Sequence, residues 1–213
     1  MLARTGSVQP STAFAMNGKD ATMTGMATLA EFARDPRKHI ELVDGEIIVS
    51  PNAAPRHFYA MARLMDILET HGLNACGEAN MILNDDDPLH PLVREPDVYV
   101  LREASTEDDG GLFQRADNTL LVVEIVSPGS GATDWIDKMI EYAESGIPHY
   151  WIIEFGADGT PHLYTLRNIG GAYGHREHWI GPVDTKIAGT VVRFDTGDLL
   201  RRSAGGSASP TES

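Results

Sequence analysis

Apolar residues settle into a regular pattern only after about residue 26. Before it, Ser, Thr, Gly, Met and Ala follow no sustained period, which predicts a flexible extension over residues 1–26. Thr28 and the short stretch to Arg34, with Pro36 beyond, predict a brief capped helix. The runs IELV and EIIVS flank Asp44-Gly45, a strong hairpin signal. Residues 57–71 read as an amphipathic helix with Phe58, Met61, Ala62, Met65 and Leu68 near one face and Gly72 ending it. Strands are expected around 73–83, 95–101 and 119–126, with the polar stretch 102–118 as a long loop.

A second amphipathic helix is predicted over 134–145, closed by Gly146 and Pro148. Its wheel buries Trp135, Ile136, Met139, Ile140, Tyr142 and Ala143 and turns Asp134, Asp137, Glu141 and Glu144 outward. HYWIIEF and PHLYTL then read as paired strands, with weaker strands near 175–180 and 191–194 and a disordered tail over 201–213. A central strand, a helix and another strand in that order imply a parallel crossover, whereas the hairpin and the late strands suit antiparallel pairing. The fold class expected is α/β, one domain over residues 27–200 with a mixed central β-sheet and helices on both faces.

Composition narrows the picture. The chain has 213 residues, 42% of them hydrophobic and 23% charged, which suits a single globular domain able to fold without disulfides or structural metal. Cys76 is the one cysteine, so no intrachain disulfide can form and a reducing compartment is favoured. With no membrane-length apolar run and no apolar signal core, a cytoplasmic protein is expected. Thirty-one acidic residues against seventeen Lys plus Arg give a net charge of −14. Such a chain as a whole repels DNA, but its acidic excess suits carboxylates that hold divalent cations.

Four residues carry the candidate chemistry. Glu124 is the one ionisable group in LLVVEIV, a run apolar on both faces, so its carboxylate needs a cation or strong hydrogen bonds. Ser127-Pro128-Gly129 place it near the strand's C-terminal end, where open α/β sheets bind ligands. Asp97, in EPDVYV, alternates away from Val98 and Val100; alone it reads as an edge-strand charge, but beside Glu124 it calls for a metal or a proton between them. Lys138 stands at the rim of its helix's polar arc, where the wheel alone gives it surface pairs with Asp134 and Glu141. Glu46 opens the second hairpin arm and reads first as a solvated charge. His175 and His178, three apart in a strand, fall on opposite faces and make no zinc site. Cys76 reads as packing, Ser127 and Ser130 lack a clear base, and neither a phosphate-binding glycine loop nor a nucleophile elbow is present.

In order, these pieces (DGE, EPDV, VVEIVSP, D-x₃-K-x₃-Y, GIP-x-YWII) resemble the Uma-two (Uma2) family of restriction-endonuclease-like proteins, within the PD-(D/E)XK nuclease superfamily. The resemblance spans about residues 28–166. It implies a mixed sheet flanked by helices and Mg²⁺-dependent phosphodiester hydrolysis, with Mn²⁺ as a substitute. Pro96-Asp97 match the PD motif and Glu124 the acidic member of (D/E)XK, which makes Asp97 and Glu124 the implied metal ligands. Val126 stands where the motif's lysine would be, and the resemblance offers Lys138 as its migrated replacement. Glu46 matches the DGE segment as an outer carboxylate, and His57 fits the pattern without an assigned role. The implied partner is nucleic acid, DNA first, with a homodimer as the assembly and no membrane. Two other classes stay open on the residues alone: a catalytically silent binding or assembly module, and a metal-dependent hydrolase of a small phosphorylated substrate.

Overall fold

The computed structural model describes residues 26–50, 53–88, 90–103, 113–127 and 133–200. The expected tail, and all of the expected extension but Met26, lie outside the described residues. Helix α1 (Leu29–Phe32) starts where a capping box predicts: Thr28 Oγ1 accepts from the Glu31 amide, and the Glu31 carboxylate accepts from the Thr28 amide. Strands β1 (Ile40–Val43) and β2 (Glu46–Val49) form the expected hairpin. Asp44 and Gly45 take φ of 49° and 75°, the left-handed pair that a two-residue turn requires.

Helix α2 (Pro55–Thr70) begins with a proline, whose missing amide costs nothing there, and ends before Gly72 at φ 78°. Its buried face is His57, Ala60, Leu64, Ile67 and Leu68, about one residue rotated from the expected stripe. Met61 and Met65 flank it, while Ala62 is exposed and Phe58 is 40% exposed. An apolar count cannot see that polar His57 faces inward, where Asp97 meets it.

The expected strand over 73–83 is two strands in different sheets, β3 (Asn74–Gly77) and β4 (Met81–Asn84). Glu78, at φ 47°, turns the chain between them. Strand β5 (Leu92–Arg94) was not anticipated, and β6 (Val98–Leu101) follows. The described part of the polar stretch holds β7 (Gln114–Arg115) and a short 3₁₀ turn. Strand β8 (Thr119–Ile125) is buried at every position, as its two apolar faces require. A π turn (Thr133–Asp137) then leads into α3 (Lys138–Glu144), and β9 (His149–Phe155) returns parallel to β8, giving the expected crossover. Strands β10 (Pro161–Ile169), β11 (Ala172–Trp179), β12 (Pro182–Ile187) and β13 (Thr190–Asp195) follow; β12 was not anticipated.

The main sheet runs β11-β10-β9-β8-β6-β3 and is mixed. A second sheet, β2-β1-β5-β4-β7, and the β12–β13 hairpin complete the described strands. Alternation along β8 divides the core: Leu121, Val123 and Ile125 pack with α2, while Val122 packs with Tyr142 of α3. The α/β class with helices on both faces is therefore observed. Strand β6 lies between β8 and β3, so Asp97 borders the middle of the sheet and not an edge. Among the described residues no helix is long and apolar enough to cross a membrane. Leu121 is fully buried, so Leu121→Ala should cost about 2–5 kcal/mol. Urea unfolding should show a lower midpoint at an unchanged slope.

Candidate active site

Register brings the two carboxylates together. Strands β6 and β8 pair Val98 with Val123, and one step further sets Asp97 beside Glu124. Asp97 Oδ2 accepts from the Ile125 amide at 2.6 Å, and Oδ1 lies 3.0 Å from His57 Nε2. Glu124 is 3% exposed, and its Oε1 accepts from Lys138 Nζ at 3.0 Å and from the Tyr142 hydroxyl at 2.7 Å.

Lys138 is 8% exposed, which overturns the surface pairing the wheel gives it. Its ammonium lies 3.0 Å from Glu124, 3.1 Å from Glu41 Oε1 and 3.8 Å from Asp134 Oδ1. The expected apolar face of this helix is corrected too: Ile136 and Ile140 are 56% and 49% exposed, while Asp134 and Lys138 are buried. The inward face meets carboxylates at Asp134 and Lys138 and the apolar cluster at Tyr142 and Ala143, so charge complementarity joins hydrophobic burial in deciding which side turns in. The π turn just before α3 holds Asp134, one more inward-facing member of the carboxylate cluster.

Glu41 is the residue that sequence reasoning missed. It sits buried in β1, joins Lys138 through Oε1, and receives Arg94 Nη1 on Oε2 at 2.8 Å. The Glu95 amide also donates to it at 3.2 Å. Arg94, itself buried, grips Glu141 with two nitrogens at 2.7 Å, so Glu141 is bound where the wheel turns it to solvent. The signal for Glu41 was present: like Glu124, it is a lone carboxylate inside an apolar strand. Glu46, by contrast, is not brought to the cluster. It pairs with Val43 beside the turn, is exposed, and borders a separate hollow with Met26 and Asp44.

The electrostatics follow from burial and crowding. Burial pushes Glu124 well above the usual carboxylate range; Lys138 opposes this, while Asp97, Asp134 and Glu41 add to it. Burial pulls Lys138 down, but Glu124, Glu41 and Asp134 outweigh it and hold the ammonium protonated. Burial alone would raise Glu41, yet Lys138 and Arg94 keep it below its ordinary value. His57 is lowered by burial and raised more by its hydrogen bond to Asp97 and by the charges of Asp97, Glu78 and Asp134. A cavity of about 120 Å³ opens onto Asp97, Glu124, Asp134, Lys138, His57 and Ile125, with Glu78, Glu95, His39 and Ser127 also in its wall.

A raised carboxyl pKa means that the folded state holds the proton more tightly than the unfolded one. The contribution of Glu124 to stability is therefore complete below its ordinary range and is lost as pH rises through the folded value. Glu124→Gln keeps an acceptor for Tyr142 and Lys138 without the charge. At pH above the ordinary carboxyl range it should raise the melting temperature of the metal-free protein, and the gap should widen with pH. Lys138→Ala should cost about 3–5 kcal/mol, because it leaves buried carboxylates uncompensated; melts across the pH range check both.

The family profile of Uma2, described as "Putative restriction endonuclease", matches residues 26–180, a span that includes Glu41, Asp97, Glu124 and Lys138. The fold is similar to a crystal structure described as "a putative nuclease belonging to DUF820" from Anabaena variabilis. The TM-score is 0.63 at 17% identity, with 81% of this chain and 97% of that chain covered. At that identity the likeness concerns the fold, and it agrees with the mixed sheet described above. No curated protein matches the chain. With its family profile matched from the first described residue to the end of β11, the chain belongs to the Uma2 family.

Proposed function

We propose that this protein is a metal-dependent endonuclease that hydrolyses phosphodiester bonds of nucleic acid, DNA first. The observation that carries the reading is the juxtaposition of Asp97 and Glu124, carboxylates from neighbouring strands that face one cavity beside a buried ammonium. The family's description as a restriction endonuclease supports it.

The donor set fits Mg²⁺ or Mn²⁺. Among the described residues no group of three or more His, Cys, Asp or Glu side chains is arranged to hold a metal. Mg²⁺ needs no such cage, since it keeps several waters and takes one or two carboxylates. Three carboxylates (Glu41, Glu124, Asp134) surround one lysine and Asp97 acts on Glu124, so even with Arg94 set against Glu41 the cluster has negative charge to spare for a cation. Asp97 and Glu124 would hold the ion, which when bound supplies an acidified water and neutralises charge on the phosphate.

The rest is the work of the chain's own groups. Lys138 balances the carboxylates before an ion arrives, and its ammonium would orient water or meet charge growing on the phosphate. Glu41, held by Arg94, fixes the lysine from behind. His57 and the Ile125 amide fix both oxygens of Asp97. The net charge of −14 repels nucleic acid as a whole, so binding would rest on local cationic groups and the metal, and salt should inhibit nucleic-acid cleavage far more steeply than hydrolysis of a small substrate. A homodimer would let the protein cut both strands of a duplex, and a reducing cytoplasm suits its single cysteine.

The test is a cleavage assay on mixed DNA and RNA at low salt with Mg²⁺, Mn²⁺ or EDTA. Metal-dependent cutting is expected, and Asp97→Asn and Glu124→Gln should each reduce it by about 100-fold or more. Calorimetric Mg²⁺ affinity should fall in both by more than the roughly 10- to 100-fold that losing a supporting residue costs. Lys138→Ala should bind Mg²⁺ yet lose turnover. A well-folded protein that cuts nothing under any of these conditions overturns the reading in favour of a silent binding module.

A further inference from the structure

The row of residues that contains Glu124 continues across the sheet to residues on the same face that the chemistry above does not use. Glu124 pairs with Ile152, Ile152 with Tyr164, and Tyr164 with His178. Residues paired in register project from the same face, so Tyr164 and His178 share the face of Glu124. They stand two and three strand spacings away, about 10 and 14 Å. Buried Ile152 is followed by half-buried Tyr164 and exposed His178.

The rings here are ordered as a surface. Tyr164 and His178 stack on one another, their planes 6° apart and their centroids 4.4 Å apart. His162 lies 5.2 Å from the His178 ring, and Trp135 meets Tyr164 edge-on at 4.8 Å. Trp135 follows directly on Asp134, a wall residue of the candidate site, and its indole N–H donates to Glu154. That bond fixes the ring's orientation. The Arg176 guanidinium stands 5.5 Å from the Trp135 ring and 5.8 Å from the Tyr164 ring. Among the described residues Arg176 has no carboxylate partner, in a chain with fourteen more negative than positive charges. Cross-strand aromatic pairs alone would serve sheet stability. An exposed guanidinium over two rings, on the sheet face that carries Glu124 but outside the lining of the Asp97–Glu124 cavity and with Glu154 as the nearby carboxylate, is suited to an anionic ligand with flat apolar faces.

We infer that Trp135, Tyr164, Arg176 and His178 form a stacking platform for the unpaired bases of a single-stranded nucleic acid, whose backbone runs along this face into the Asp97–Glu124 cavity. The inference rests on the nuclease reading and names its substrate form: a single strand or a frayed end rather than an intact duplex. Rings accept any base because every base has a π-face, and arginine adds both stacking and phosphate attraction. The span from Glu124 to His178 corresponds to on the order of a few nucleotides, at the short end of single-strand site sizes.

The test separates this inference from the reading beneath it. A fluorescein-labelled oligothymidylate is titrated by anisotropy at low salt in EDTA, with Glu124→Gln as the background so that no cutting intervenes. Arg176→Ala and His178→Ala, both at exposed positions, should each weaken binding about 5-fold or more, and Tyr164→Leu by about 5- to 100-fold. Tyr164→Phe should restore the affinity, since it keeps the ring. Unlabelled single strand should compete better than duplex of the same length. Unchanged affinity in the two surface variants, equal competition by duplex, or no binding at all each overturns the platform. If the oligonucleotide binds in this pattern yet the unmutated protein never cuts it with Mg²⁺ or Mn²⁺, the platform stands and the nuclease reading fails.

Discussion

Lys138 is the contact on which the site depends. Its ammonium touches Glu124 from the main sheet and Glu41 from the second sheet, and lies near Asp134 from its own helix. Without that cation, three buried carboxylates would face one another at low dielectric, and each would have to take a proton or pull away. The lysine in turn stays charged only because they surround it. Neither side is stable alone, so the elements carrying these residues are held together by a charge that no hydrophobic pairing supplies.

Arg94 extends the arrangement outward. It ties Glu41 to Glu141, so the second sheet and α3 are clamped twice, once through Lys138 and once through Arg94. On the opposite face of the main sheet α2 and the β12–β13 hairpin bury an apolar cluster around Leu121, Val123 and Trp151, with His57 of α2 reaching Asp97. One face is thus packed for stability and the other is polar at one end. Such a division lets a site hold a buried, proton-hungry carboxylate at a cost in stability that the apolar face offsets.

The polar end is also where the register row leads from Asp97 and Glu124 to Tyr164 and His178. A sheet repeats its side-chain direction every second residue and carries it from strand to strand, so groups distant in sequence come to lie along one line. Carboxylates stand at one end of that line and rings with an arginine at the other, with buried Ile152 between them.

Much of this was legible in the residues themselves. Periodicity and turn chemistry placed the hairpin at Asp44-Gly45, both main helices, the doubly buried β8 and its parallel crossover to β9. A lone carboxylate in a run apolar on both faces marked Glu124, because burial of a charge demands an explanation wherever it occurs. What the chain pattern could not decide was which partners meet. Residues 73–83 form two strands in separate sheets, since a strand's sheet membership is set by long-range pairing and not by its own composition. Ile136 and Ile140 face solvent and Lys138 faces inward, because what a helix face meets is decided across the fold. Glu41, not Glu46, joins the cluster for the same reason. Hydrophobicity ranks residues one at a time, whereas buried charges are placed by their counter-charges, and those are brought together only when the sheets and α3 close around Lys138.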